Sequence, residues 1–201
     1  ASVIHFGADS EVTLTHVADT GLALKHTATA DDKPIVLTLQ TGETDMAAND
    51  VIGKLAFQAP DEGTGTDAVL VAAAIQARAE GDFSSSSNAT SIDFMTGVSE
   101  AAATKMTLSS GGNLGVGTSA PARLLHLDTN ASTVASITAA AGYSANIFFG
   151  TTSDDNSGRI VYTINDEAMA FWTNDNSRLT ISSAGVVDIA GATTTAAITA
   201  S

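Results

Sequence analysis

Met106-Thr107-Leu108-Ser109-Ser110-Gly111-Gly112-Asn113-Leu114-Gly115-Val116 and Leu179-Thr180-Ile181-Ser182-Ser183-Ala184-Gly185-Val186-Val187-Asp188-Ile189 are two copies of one pattern. In each, apolar residues alternate up to a Ser-Ser-small-Gly turn and resume alternating beyond it. That period of two marks a half-buried strand entering and leaving a tight bend. The copies align without a gap at a spacing of 179 minus 106, or 73 residues. Repetition at a fixed period is the mark of a chain built from supersecondary units. Gly112 and Gly185 stand where the chain reverses, so they are the structural turn residues, expected at positive φ where β-branched side chains enter only with strain.

Working outward, residues 3–39 alternate in short runs: Ile4 and Phe6, Val12 and Leu14, Leu22 and Leu24, then Ile35, Leu37 and Leu39. Turn formers such as Gly7-Ala8-Asp9-Ser10, Asp19-Thr20-Gly21 and Asp31-Asp32-Lys33-Pro34 separate them, which predicts short antiparallel strands throughout. A second region opens with Leu55 and Phe57, crosses a polar loop over residues 59–67, and continues through Val69, Val71, Ile75 and Ala77 to a Ser-rich loop. Ile92 and Phe94 then lead into the first signature. The alanines of residues 68–80 favour helix, but Val69, Val71, Ala73, Ile75 and Ala77 keep a period of two between turn-rich loops, so the stretch reads as strand. The third region repeats the plan in shorter form. Ile147 and Phe149 match Leu55 and Phe57, Ile160 and Tyr162 follow, and Met169 and Phe171 stand where Ile92 and Phe94 stood. The expected organisation is an all-β chain with an N-terminal β segment (1–49), a first β module (50–130) and a second (131–201). The Ala/Thr-rich tail of the second, residues 191–201, reads as frayed or cut from something longer.

Composition bounds the function. Lys and Arg total 8 against 22 Asp and Glu, a formal charge of −14. Phosphate binding needs clustered cations, so a nucleic-acid partner is excluded and an anionic membrane surface is disfavoured. No basic leader with an apolar stretch opens the chain, and the longest purely apolar run, residues 68–75, is too short to span a bilayer. There is no cysteine, hence neither a disulfide nor a thiolate metal site. Aromatics are 5% of the chain, so the large side chains that dominate burial are thinly spread. Burial between subunits is the expected remedy.

No constellation of catalytic or ligating residues rises above its surroundings. Gly115-Val116-Gly117-Thr118-Ser119-Ala120 matches a dinucleotide fingerprint formally, but Pro121 and the alternation Leu125-His126-Leu127 supply a strand where that motif needs a helix. His5, His16, His26 and His126 form no close His-x-His pair. Asp154-Asp155-Asn156 and Asp175-Asn176 offer oxygens without EF-hand spacing. Asp61 with Glu62 and Asp166 with Glu167 are paired carboxylates in a chain where acids are everywhere, which gives little support to an acid–base pair for glycan cleavage. The expectation is no catalytic residue, no metal and no cofactor. Trp172 is the only tryptophan and follows Phe171 directly. If Phe171 joins Met169 and Leu179 in a core, alternation sends Trp172 outward or into a subunit contact, as a candidate interface or receptor contact.

Ser110-Gly111-Gly112-Asn113-Leu114-Gly115-Val116-Gly117-Thr118-Ser119-Ala120-Pro121-Ala122-Arg123-Leu124-Leu125-His126-Leu127 resembles the Gly-Asn-Val-Gly-Ile-Gly-Thr-x-x-Pro-x-x-x-Leu-x-Val run of bacteriophage tail-fibre and other appendage proteins. Residues 3–24, with Phe6-Gly7-Ala8-Asp9-Ser10 and Thr15-His16-Val17-Ala18-Asp19-Thr20-Gly21-Leu22, are similar to segments of virion structural proteins of marine phages. The chain departs from the usual pattern at Thr104-Lys105-Met106-Thr107, where the familiar run is Glu-Arg-Met-Arg, and it lacks a recognisable C-terminal autoproteolytic chaperone. The resemblance implies a non-enzymatic, fibrous, intertwined or side-by-side homotrimer at the virion surface or extracellular. It would contact other virion proteins and a host surface glycan or protein. The alternatives are a capsid decoration, a filament-forming subunit or, in a different class, a glycan-cleaving tail spike.

Overall fold

The computed structural model describes residues 2–7, 10, 12–59 and 66–191. Among them are fourteen strands and one short 3-10 turn, Asp67–Val69, so the chain is all-β. It divides into two compact units, residues 1–133 and 134–201. The paired carboxylates Asp61 and Glu62, and residues 192–201 of the C-terminal tail, lie outside the described residues.

The first unit holds two sheets. β1 (Val3–Phe6), β2 (Val12–Val17) and β3 (Gly21–His26) form an antiparallel meander in which Ile4, Leu14 and Leu24 stand side by side. β4 (Val51–Gln58), β5 (Val71–Ala79), β6 (Thr90–Thr96), β7 (Ala103–Leu108), β8 (Leu114–Val116) and β9 (Leu125–Leu127) form a six-stranded sheet in that order. It is antiparallel as far as β8. β9 departs from the expected pattern and joins β8 in parallel. The connection, residues 117–124, returns the chain to its starting end by looping over one face. Gly117 opens it at φ +82°, and a side chain there would run into the carbonyl oxygen of Asp128.

The second unit holds a five-stranded antiparallel meander of β10 (Ser144–Phe149), β11 (Gly158–Thr163), β12 (Ala168–Thr173), β13 (Asn176–Ile181) and β14 (Val187–Ile189). It repeats the six-stranded sheet closely. β7 pairs with β8 at Met106 to Val116, Thr107 to Gly115 and Leu108 to Leu114. Seventy-three residues on, β13 pairs with β14 at Leu179 to Ile189, Thr180 to Asp188 and Ile181 to Val187. Each copy has a bulge in the preceding ladder at the same place, after Phe94 and after Phe171. The residue skipped by the ladder is basic in both, Lys105 and Arg178.

One expected run is not a strand. Ile35, Leu37 and Leu39 alternate, but residues 33–43 pass without turn, bend or ladder. Leu39 instead lies against Gly53 of β4, where a Cβ on the glycine would be 2.8 Å from that of Leu39. Alternation reports which way side chains face; it does not supply a backbone partner.

Candidate functional site

The register lays apolar residues in unbroken rows across each sheet. In the six-stranded sheet one row runs Leu55, Ile75, Phe94, Met106, Val116, Leu127 from β4 to β9. The next runs Gly53, Ala77, Ile92, Leu108, Leu114, Leu125. In the five-stranded sheet the rows are Ile147, Ile160, Phe171, Leu179, Ile189 and Ala145, Tyr162, Met169, Ile181, Val187. None of these positions is charged. Yet Ile75 and Phe94, central in their sheet, are 36% and 37% exposed, and Phe171 is 40% exposed. A shallow apolar recess of about 230 Å³ lies on the second face, where Ala135 and Ile137 meet Ile147, Ile160 and Met169. Monomeric proteins rarely leave such continuous apolar surface open.

The polar face is the covered one in the six-stranded sheet. The row between the two apolar rows, on the opposite side, runs Lys54, Gln76, Asp93, Thr107, Gly115, His126. Asp93 and Thr107 are fully buried there, as is Ser91. Loop 117–124 accounts for part of this cover: the Thr118 methyl and Pro121 lie over Gly115, and Asn113 Nδ2 donates to the Pro121 carbonyl at 3.1 Å. Only a residue without a side chain fits beneath them.

Asp93 is the centre of a closed network. Arg78 Nε donates to its Oδ2 at 2.7 Å and Arg78 Nη2 to its Oδ1 at 3.3 Å. Thr107 Oγ1 donates to Oδ1 at 2.9 Å and Gln76 Nε2 to Oδ2 at 3.3 Å. Arg78 Nη1 reaches Asn49 Oδ1 at 3.2 Å. Burial works to raise the Asp93 pKa, but the hydrogen bonds from Arg78, Thr107 and Gln76, with the Arg78 charge, outweigh it and hold the carboxyl below its ordinary range. The Arg78 guanidinium is raised, chiefly by its hydrogen bond to Asp93. Satisfied on every side, the pair resembles a registry device more than a catalytic one: each partner would be costly to bury alone.

The two turns predicted from the repeat close with the same hydrogen bonds, and Ser110 of the first also donates to the Glu80 carboxylate. Gly112 N–H donates to Ser109 O and Gly185 N–H to Ser182 O, both at 2.9 Å. Ser109 Oγ accepts from Asn113 N–H at 3.2 Å, and Ser182 Oγ from Val186 N–H at 3.1 Å. Both glycines have φ +78°, with open space where a Cβ would stand. A substitution there is therefore opposed by backbone strain alone. Gly185→Val is expected to cost at least about 1 kcal/mol, and Gly185→Asn less, because asparagine tolerates this region. Chemical denaturation checks it, and equal midpoints for Val, Asn and wild type would contradict the assignment.

Trp172 and Phe171 face opposite ways, but their burial is the reverse of a core Phe171 with an outward Trp172. Phe171 lies in the exposed apolar row, whereas Trp172 is half-buried on the other face beneath Arg159, whose guanidinium carbon is 4.2 Å from the ring centroid. Arg159 also reaches Asp175 at 3.6 Å, and the Trp172 indole N–H is buried without a hydrogen-bond partner among the described residues.

The remaining candidates do not converge. His5, His16 and His26 lie on successive strands of the three-stranded sheet and His126 on β9; no metal-binding group of three acidic, His or Cys residues occurs among the described residues. Asp166 and Glu167 occupy the turn between β11 and β12, Glu167 at φ +49°. Gly115 ends in a strand–loop–strand unit, without a helix to receive a phosphate. Among the described residues no helix is long and apolar enough to cross a membrane. The Arg78–Asp93 network and the apolar rows are what residue-type spacing missed. A lone Asp between Ile92 and Phe94 in mid-strand was the available signal, since an unpaired carboxylate is almost never fully buried.

No protein-family model and no curated protein sequence matches this chain. Solved structures similar to it include two from one phage fibre. One is the carboxy-terminal domain of the bacteriophage T5 L-shaped tail fibre with its intramolecular chaperone domain, at 10% identity and a TM-score of 0.45, covering 83% of this chain. This chain spans 62% of that one's length. The other is the carboxy-terminal domain of the same fibre, at 12% identity and a TM-score of 0.37, covering 83% of this chain and 90% of that one.

Proposed function

We propose that the chain is a non-enzymatic structural and adhesive virion component, a fibre or appendage subunit that assembles as a homotrimer and spaces or presents a host-contacting surface. The observation that carries this is the set of uncharged apolar rows crossing the two larger sheets, whose central residues Ile75, Phe94 and Phe171 are left 36%, 37% and 40% exposed in the single chain. At about 25 cal/mol per Å², covering such rows is the main source of stability available to a chain with so few aromatics. Copies of the chain supply the cover, because each copy has the same uncharged surface to hide. The resemblance of the Gly-Gly-Asn-Leu-Gly-Val-Gly-Thr run to phage appendage sequences supports the virion setting and the threefold state. Other virion proteins and a host glycan or protein complete the partners.

Light scattering on the folded protein at micromolar concentration tests the assembly. The expected mass is three times 20.2 kDa, about 61 kDa; a folded species at 20.2 kDa would refute it. Trp172 is proposed as an interface or receptor contact on the face opposite the apolar rows. Trp172→Ala is expected to lower the stability of the assembly. A variant that assembles normally and no longer binds host cells would place Trp172 in the receptor site instead.

A further inference from the structure

Two straight stretches of the chain have no strand partner, and both are rich in residues that prefer strands. Ile35-Val36-Leu37-Thr38-Leu39-Gln40 is uncharged and almost wholly β-branched or aliphatic. Among the described residues, no backbone group of residues 33–40 pairs with another. Val36 is 70% and Leu37 67% exposed. Residues 132–139 repeat the arrangement ahead of the second module, equally free of turn, bend and backbone pairing. A chain segment of this composition is a ready template for pairing with a strand edge.

Its own sheet leaves the outer side of β4 open, yet the segment does not pair there. Leu39 lies over Gly53 and shares a recess with Leu55, Ile75, Ala77 and Ile92, so the segment crosses the apolar face through side chains and makes no ladder with β4. We propose that residues 35–40 add as a β-strand to a sheet edge of a second copy of this chain. The inference rests on the homo-oligomeric reading above and names the element that joins the copies.

Two quantities favour a second copy as the occupant. With strands about 4.8 Å apart and about 20 Å long, the six-stranded face offers about 600 Å² per copy and the five-stranded face about 500 Å², each a large part of the ~800 Å² per partner in a stable complex. The segment and the rows it lies on also carry no charge. Copies each bearing −14 can therefore meet there without bringing like charges together, whereas a charged partner would find nothing to pair with.

Hydrogen exchange on the intact protein, read at residue level, tests this. In an added edge strand alternate amides face the neighbour, so every second amide between Val36 and Gln40 is expected to exchange on the order of 100-fold more slowly in the oligomer. Uniformly fast exchange in an intact oligomer overturns the strand addition and leaves the homo-oligomer standing. Protection that persists in a single-subunit species places the pairing within one chain and also overturns it. A chain that is monomeric at all concentrations removes both readings. As a second measurement, Leu37→Pro and Thr38→Pro each delete one of two successive donors at positions unbonded in the single chain. One of the two is expected to weaken association at least about tenfold, and unchanged association in both overturns the proposal.

Discussion

Asp93→Ala is expected to destabilise the six-stranded sheet by about 3–5 kcal/mol, the range for removing one partner of a buried ion pair. The reason is what remains behind. Arg78, only 16% exposed at its side chain, loses two hydrogen bonds and its counter-charge, while Thr107 and Gln76 each lose an acceptor. Asp93→Asn keeps the shape and should fall between the variant and wild type. Replacing both partners by apolar residues of similar volume should recover most of the loss, since such exchanges are often close to neutral. Denaturant titration of the four proteins provides the check, and a loss below about 1 kcal/mol for Asp93→Ala would show that solvent reaches the network. The same pair sets an acid limit. The folded pKa of Asp93 is depressed, so its contribution is fully present above the unfolded value of about 3.9 and is lost as pH falls through the folded value. Asp93→Asn should therefore flatten the stability profile below about pH 4 and leave its slope near neutrality unchanged.

Phe94→Asp is expected to abolish assembly while sparing the strand content of the chain. Phe94 stands in the middle of the row from Leu55 to Leu127 and is 37% exposed in the single chain, so an aspartate there meets water until a neighbour covers it. Covering an unpaired carboxylate costs several kcal/mol. A penalty of about 4 kcal/mol weakens association on the order of 1,000-fold. Light scattering should return a mass near 20.2 kDa with an unchanged far-ultraviolet β signature. Assembly at wild-type strength would show that this face is not the one the copies share. Thr96→Asp, near the end of β6, should have a smaller effect for the same chemistry because a rim charge retains its water.

The all-β class and the turn pair could be read from the chain because alternation and turn chemistry are local. The sequence distance from Met106 to Val116 is short, and the ladder between them follows from the Ser-Gly-Gly turn. Which face would be covered was not legible in the same way. A period of two separates Ile92 and Phe94 from Ser91 and Asp93, but the burial of the second set goes with partners that only the register brings together, Arg78, Gln76 and Thr107 on Asp93 and the Arg78 carbonyl on Ser91. The Arg78–Asp93 pair joins strands whose residues are 15 apart, a spacing with no local meaning before the register of β5 and β6 is known. Ile35, Leu37 and Leu39 mislead for the converse reason: their alternation is genuine, but the segment makes no backbone pairing with the outer edge of β4, which lies beside it. Trp172 could be assigned to the face opposite Phe171, but its cover comes from Arg159 on the neighbouring strand.

The serine–glycine turn that closes both modules with the same hydrogen bonds also makes the modules interchangeable at their ends. The bonds that the two turns share involve backbone groups and one hydroxyl, and the residue that follows the glycine can be Asn113 or Val186 without altering them, while Ser110 of the first turn also donates to the Glu80 carboxylate. A crossover between two gene segments at this turn would keep the ladder of Leu108 with Leu114, or of Ile181 with Val187, in register whichever halves were joined. The turn is thus a point at which two segments could be joined with the ladder kept in register, while the strand beyond it, with Gly115 in one copy and Asp188 in the other, would still have to suit the face it meets.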